Sequence, residues 1–342
     1  MATMQEVATR AGVSIATVSF VVNGTKNVSP GTRERVVAAM AELGFRNNVV
    51  ARALASRRTR IIALLFPAME ARLAGTALQF VSSAADRASE LGYHLVLWPA
   101  GTTADDLTDL LSGGLAEGVI VMEVMMDDRR IDKLVEMDVP FVSIGRTARP
   151  ESMPYVDIDF ESTVEQGLDY LTGLGHRRIG LAVEDLRGTP MAGYGPHIRT
   201  ETTFTQSMKR RGLAPLIVSC GRSAAGGRQA ARDLLALDPA VTAVMIMKDD
   251  STFGLLSGLT AAGLRVPGDV SILSLASSNE AGEATEPVLS TMNAPGRELG
   301  GMAVESLIAR LEGKSEDMPH VLLPCVLHVA GSTAEVRERF LR

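Results

Sequence analysis

Residues 4–23 read MQEVATRAGVSIATVSFVVN, two short helical patterns on either side of a tight turn. Val7, Ala8 and Ala11 form the apolar face of the first pattern, and Gly12 supplies a position that readily takes positive φ. Ser14 follows as an N-cap candidate, and Val18, Val21 and Val22 form the apolar face of the second pattern. Helix, glycine turn and helix at this spacing is the helix-turn-helix plan, whose second helix can enter a DNA major groove. The plainer possibility is a helical hairpin packed on a larger core. Working outward, Ser29-Pro30 opens a third helical pattern over Thr32–Leu43, with Val36, Val37, Met40 and Leu43 as its apolar positions and Gly44 ending it. Asn47–Ala55 (NNVVARALA) is helix-capable but too short to be stable alone, so it is expected to form only against a partner or a groove. Without such a partner it is a linker.

Charge separates this head from the rest. Residues 1–60 carry nine Lys/Arg against three Asp/Glu, a net +6, while residues 61–342 carry 25 against 37, a net −12. A basic head on an acidic body is expected to meet phosphate through the head alone, because displaced counterions drive that contact. Cys220 and Cys325 lie far apart in apolar or small-residue settings and read as buried thiols. No signal peptide pattern is present, and no apolar run approaches the ~20 residues that span a bilayer. The expectation is a cytoplasmic protein without membrane contact.

From Ile61 the pattern changes to short apolar strands alternating with amphipathic helices. Strands are expected at Ile61–Phe66, His94–Trp98, Gly118–Met122, Phe141–Ile144 and Tyr155–Ile158, then at Arg178–Val183, Leu216–Val218, Ala243–Met247 and Ser271–Leu275. The intervening helices include Ala77–Leu91, Asp105–Leu111, Arg129–Met137, Glu161–Leu174 and Thr202–Arg211. Such alternation implies parallel α/β sheets with helices on both faces, here in two similar lobes.

Three segments taken in order, VATRAGVSIATVSFVVNG, VSPGTRERVVAAMAELGFR and NNVVARALASRRTRIIALLFP, resemble the LacI/GalR family of bacterial transcriptional regulators. In the body, Leu174–Val183 (LGHRRIGLAV), Ala261–Leu275 (AAGLRVPGDVSILSL) and Glu286–Pro295 (EPVLSTMNAP) extend the resemblance over essentially the full length. It implies a small all-α helix-turn-helix head plus an α/β periplasmic-binding-protein-like core of two doubly wound parallel-sheet lobes. The expected division is head 1–46, hinge helix and linker 47–60, N-terminal lobe 61–159 plus 293–319, C-terminal lobe 160–292 plus 320–331, and a short charged tail 332–342. A homodimer on a pseudo-palindromic operator is implied, with a small-molecule effector between the lobes.

The resemblance also implies roles. Ser14, Thr17 and Asn23 match positions that hold the operator backbone, and Ile15, Ala16 and Phe20 match positions that face base edges. Leu54 matches the hinge leucine that wedges into the minor groove, with Arg52 on the same stretch. Family members commonly carry Arg where this chain has Phe20, and Pro where it has Asn47. Phe20, Ile15 and Ala16 offer no side-chain hydrogen bond to a base, so readout is expected to lean on apolar contacts, DNA shape and the hinge. In the cleft, Arg146 and Asp249 match polar pocket positions and Asp159 an acid at the lobe edge. The common Asn-Pro-Phe-Phe is missing at Ala68–Thr76, the usual paired acids are Ala276 and Ser277, and the family Arg falls on Thr200 beside Arg199. Loss of the paired acids argues against a simple sugar. It leaves either an unidentified effector held by Arg146, Arg199 and Asp249 near Ala276, or a degenerate cleft on an effector-independent repressor.

Nothing in the chain adds up to catalysis. Met122, Met125 and Met126 beside Asp127 and Asp128 read as core filler before a helix start, not as a soft-metal site. The five histidines lack ligand spacing, and no serine has a nucleophile-elbow context. Gly188–Pro196 (GTPMAGYGP) reads as a loop at the cleft mouth and not as a phosphate cradle. Neither cofactor nor metal is expected. A small-molecule binding protein without a DNA role is the reading from a different class.

Overall fold

A computed structural model describes residues 2–23, 26–45, 58–66, 75–99, 107, 110–111, 114–247 and 249–337. The hinge stretch with Arg52 and Leu54, residues 68–74, most of the helix expected at Asp105–Leu111, and the side chains of Asn23 and Asp249 lie outside what is described. The chain divides into two compact units, Met1–Arg60 and Ile61–Arg342.

The head contains α1 (Met4–Ala11), α2 (Ile15–Asn23) and α3 (Pro30–Glu42). A capping box starts α1: the Glu6 amide donates to Thr3 Oγ1 while Thr3 N donates to Glu6 Oε2 at 2.7 Å. Gly12 ends it at φ +64°, a left-handed cap that glycine adopts without a Cβ penalty. Val7, Ala8, Ala11, Val18, Val21, Val36 and Ala39 close a small core. Val37, assigned to the apolar face by its spacing from Val36 and Met40, is instead 53% exposed. Val37 lies about 100° further round the helix than Val36 and falls outside the arc that Val36 and Ala39 turn to the core.

The second unit holds two six-stranded sheets. The first is built from β1 (Ile61–Leu65), β2 (His94–Trp98), β3 (Gly118–Val121), β4 (Phe141–Ile144), β5 (Tyr155–Ile158) and β11 (His320–Leu323), in the order β11-β5-β4-β3-β1-β2. The second uses β6 (Ile179–Val183), β7 (Leu216–Ser219), β8 (Ala243–Met247), β9 (Ser271–Ser277), β10 (Ser290–Asn293) and β12 (Val326–His328), in the order β12-β10-β9-β8-β6-β7. All pairings are parallel except β10 with β12. Each lobe therefore repeats one doubly wound order, with its central strands buried between helices and its edge strands partly exposed. Helices α4 (Thr76–Glu90), α5 (Arg129–Glu136) and α11 (Gly296–Leu311) belong to the first lobe. The second has α6 (Phe160–Gly173), α7 (Gly195–Arg210), α8 (Ala224–Leu237), α9 (Asp249–Ala261) and the short α10 (Asn279–Glu283).

Three features correct the sequence reading. His320–Leu323, assigned to the second lobe, pairs in parallel with β5 of the first, from His320 against Tyr155 to Leu323 against Ile158. The chain crosses to the second lobe only afterwards, at Val326–His328. Residues 332–337 are not a free tail: Ser332 Oγ donates to Ile272 O at 2.6 Å, Val336 N to Leu174 O at 2.9 Å, and His176 Nε2 lies 3.0 Å from Ala334 O. Finally, α7 begins seven residues before the expected Thr202, because Pro196 sits in its first turn, where the missing N–H costs nothing.

Candidate nucleic-acid interface and interlobe cleft

Ser14 caps α2, its Oγ accepting from Thr17 N at 3.1 Å and lying 2.9 Å from Thr17 Oγ1. The cap also holds both hydroxyls at the N-terminus of α2, where backbone N–H groups and helix dipole favour phosphate. Ile15 is 45% exposed and Ala16 is exposed, whereas Phe20 is half-buried. Ala16 and Phe20 are four residues apart and share a helix face. One group missed in the sequence reading joins them: the Lys26 ammonium lies over the Phe20 ring, 5.1 Å from its centroid. Arg10, in contrast, pairs with Glu42 at 2.7 Å and ties α1 to α3.

In the core, Arg146 and Arg199 come together around two carboxylates. Arg146 Nη2 donates to Glu161 at 2.6 Å, and its Nε lies 3.4 Å from Asp157, an ion pair without a hydrogen bond. Arg199, on α7 of the second lobe, donates to Thr147 O of the first at 2.9 Å and reaches Glu161 at 3.5 Å. Burial pushes the Asp157 carboxyl up to about 7, against the lowering effect of Arg146 and Arg199. Burial and the neighbouring Arg146 hold Arg199 below the ordinary guanidinium value. An acid inside the apolar run Tyr155–Ile158 was the signal in the sequence that a buried charge here needed partners. The acid expected at the lobe edge, Asp159, caps α6 by accepting from Ser162 N at 2.8 Å.

The Gly188–Pro196 loop adds a backbone tie. Met126 N donates to Gly193 O at 2.7 Å, Gly195 N donates to Val124 O at 3.0 Å, and Met125 and Tyr194 pair as an antiparallel bridge. The second lobe thus lays a strap on the first. Glycine keeps the approach close at position 195: a Cβ there would sit 2.6 Å from Arg199 Nη1 and 3.1 Å from Val124 O, so the end of the Arg199 side chain and the strap would both have to shift. Asp128 caps α5, as its place before a helix suggests, and forms a buried ion pair with Arg130 at 2.7 Å. Arg130 also donates to Met122 O and Glu123 O, fixing the loop that receives the strap. Beside the strap a cavity of about 430 Å³ lies against Tyr194, His197 and Glu201, and Arg146, Arg199 and Ala276 do not line it.

Ala276 meets a different contact, its carbonyl accepting from Thr76 Oγ1 at 2.8 Å with its own backbone at φ +49°. Arg199 Nη1 and Thr200 Oγ1 are buried and make no hydrogen bond among the described residues. No cluster of His, Cys, Asp and Glu suited to a metal ion occurs among them either. No described helix is long and apolar enough to cross a membrane.

A helix-turn-helix unit followed in the chain by a pair of α/β lobes defines a class: DNA-binding regulators built on a periplasmic-binding-protein-like core. Residues 3–48 match the model for bacterial regulatory proteins of the lacI family, and residues 168–333 match the periplasmic binding protein-like domain. The transcriptional regulator CelR of Thermobifida fusca is 32% identical, the match covering 96% of this chain and 98% of that protein. Catabolite control protein A of Priestia megaterium is 27% identical over 97% and 99%. Among solved structures, the lac repressor dimer bound to operator and the anti-inducer ONPF superposes with a TM-score of 0.84 at 26% identity, covering 97% and 99% of the two chains. The CelR–cellobiose complex gives 0.72 at 29% identity, covering 97% and 100%. The chain belongs to the LacI family of bacterial transcriptional regulators.

Proposed function

We propose that the chain is a cytoplasmic repressor that binds a pseudo-palindromic operator as a homodimer and responds to a small molecule between its lobes, without catalysing a reaction. The observation that carries the DNA reading is the capped, solvent-facing N-terminus of α2, with Ser14 and Thr17 hydroxyls beside exposed Ile15 and Ala16. Ser14, Thr17 and Asn23 hold the backbone; Ile15, Ala16 and Phe20 face the bases; Arg52 and Leu54 serve the hinge. A relative solved as an operator-bound dimer supports this assembly, which places two recognition helices on successive half-sites. Gel-shift titration over a salt series tests it. Affinity for a selected operator must fall steeply with salt; binding that ignores salt, or no binding to any selected sequence, defeats it.

For the cleft, buried Arg199 Nη1 and Thr200 Oγ1 support a ligand that supplies hydrogen-bond acceptors and donors. Arg146, Asp249 and Ala276 complete the proposed surroundings. A relative bound to cellobiose supports a small polar effector in the same architecture. The second reading, an effector-independent repressor, draws on Glu161 and Thr147, which already engage both arginines. A thermal-shift screen of sugars, nucleosides and phosphorylated metabolites separates them: stabilisation that Thr200→Val abolishes supports a cleft ligand, and no stabilisation by any compound supports the second.

A further inference from the structure

The side chains that α2 offers to bases at Ile15, Ala16 and Phe20 contain no hydrogen-bond donor. The Ser14 and Thr17 hydroxyls are engaged with each other and with the helix cap, and neither terminal turn of α2 carries a charged residue. Over this face lies one ammonium, that of Lys26, with the Phe20 ring beneath it. Lys26 is exposed and forms no ion pair among the described residues, unlike Arg10, which Glu42 occupies. An aromatic face attracts a cation through its quadrupole and so restricts where a flexible lysine places its charge. Ala16, one turn before Phe20 on the same face, leaves room beside the ring for a base edge to approach.

Resting on the operator reading above, we propose that Lys26 is a specificity-determining residue: Phe20 acts as a platform that holds the Lys26 ammonium at the reading face, where it donates to guanine O6 and N7. Lysine is a common partner of that acceptor pair in the major groove. Phe20 then does more than contact apolar groups; it positions a donor that comes from outside the recognition helix. The alternative destination for this ammonium is a phosphate, which would carry no sequence information.

Operator selection from a random duplex library, run on the full chain as wild type, Lys26→Met and Phe20→Leu, distinguishes these. The expected result is a G·C preference at one pair in each half-site of the wild-type operator. Lys26→Met reduces that preference roughly tenfold while the other positions keep theirs. Phe20→Leu, which keeps apolar volume but removes the ring, weakens the preference at the same pair. Uniform loss of affinity across all sequences in Lys26→Met, with the salt slope reduced by about one, assigns the ammonium to phosphate and overturns the inference while leaving the operator reading intact. Unchanged preference in Lys26→Met also overturns it. Failure of the wild type to enrich any sequence overturns the operator reading, and this inference with it.

Discussion

In the head, Ile15 is 45% exposed and Lys26 stands in solvent over Phe20. In the core, the side chains of Arg146 and Arg199 are only 11% and 7% exposed, and both face Glu161. The head leaves its proposed contact groups open to solvent, while the core turns polar groups onto one another across its own two lobes. A group that faces water costs little to leave unpaired, whereas a buried one must be matched. That difference is why the groups proposed for the head can be judged by exposure alone, while those proposed for the cleft require the neighbours that surround them.

The contrast breaks most visibly where the core's pairing is deepest. Arg130→Met leaves Asp128 buried without its partner and frees the Met122 and Glu123 carbonyls, so a loss of about 3–5 kcal/mol is expected in urea unfolding. A loss below about 1 kcal/mol would show that the pair is not structural. Next comes Gly195→Val, which pushes the strap off Val124 and is expected to destabilise by about 1–3 kcal/mol. Hydrogen exchange at the Met126 and Gly195 amides should accelerate in this variant; unchanged protection would refute the strap.

Asp157 supplies a pH test. Its carboxyl is raised by burial from 3.8 to about 7, so the folded state holds the proton more tightly than the unfolded state. The stability this contributes is complete below about pH 4 and is lost as pH rises through about 7. Asp157→Asn should flatten stability across that window, as read by thermal melting at a series of pH values, and an unchanged profile counts against the assignment. In the head, Ser14→Ala removes the cap of α2 at about 0.5–2 kcal/mol, measured by hydrogen exchange within α2. The smallest effect is expected at the surface: Val37→Lys should change stability by less than about 0.5 kcal/mol, with a larger loss implying that Val37 packs against something.

Much of the architecture was legible because buried strands and amphipathic helices leave different periodicities. The strands from Ile61 to Ile158 and from Ile179 to Leu275 follow that signal closely. His320–Leu323 did not, because an edge strand of four partly exposed residues carries no mark of which sheet it joins. Only its pairing with Tyr155–Ile158 settles that. The integration of residues 332–337 was hidden likewise, since backbone contacts such as Val336 N to Leu174 O do not depend on side-chain pattern. At the site, Ser14 was readable as a cap and Arg199 as a polar group near the cleft. Glu161 as the common partner of Arg146 and Arg199, and Lys26 over Phe20, depend on contacts that spacing does not reveal.

The strap from Gly193 to Gly195 has a consequence for how this architecture can vary. Gly195 is both its last residue and the first of α7, so the bond to Val124 O seats the helix itself on the first lobe, whatever the contour of the loop before it. Adding or removing one residue between Leu186 and Ala192 would reshape that loop while Tyr194 keeps its register with Met125. Loop insertions and deletions can therefore remodel the cavity that Leu186, Arg187 and Ala192 line without unseating α7 from the first lobe.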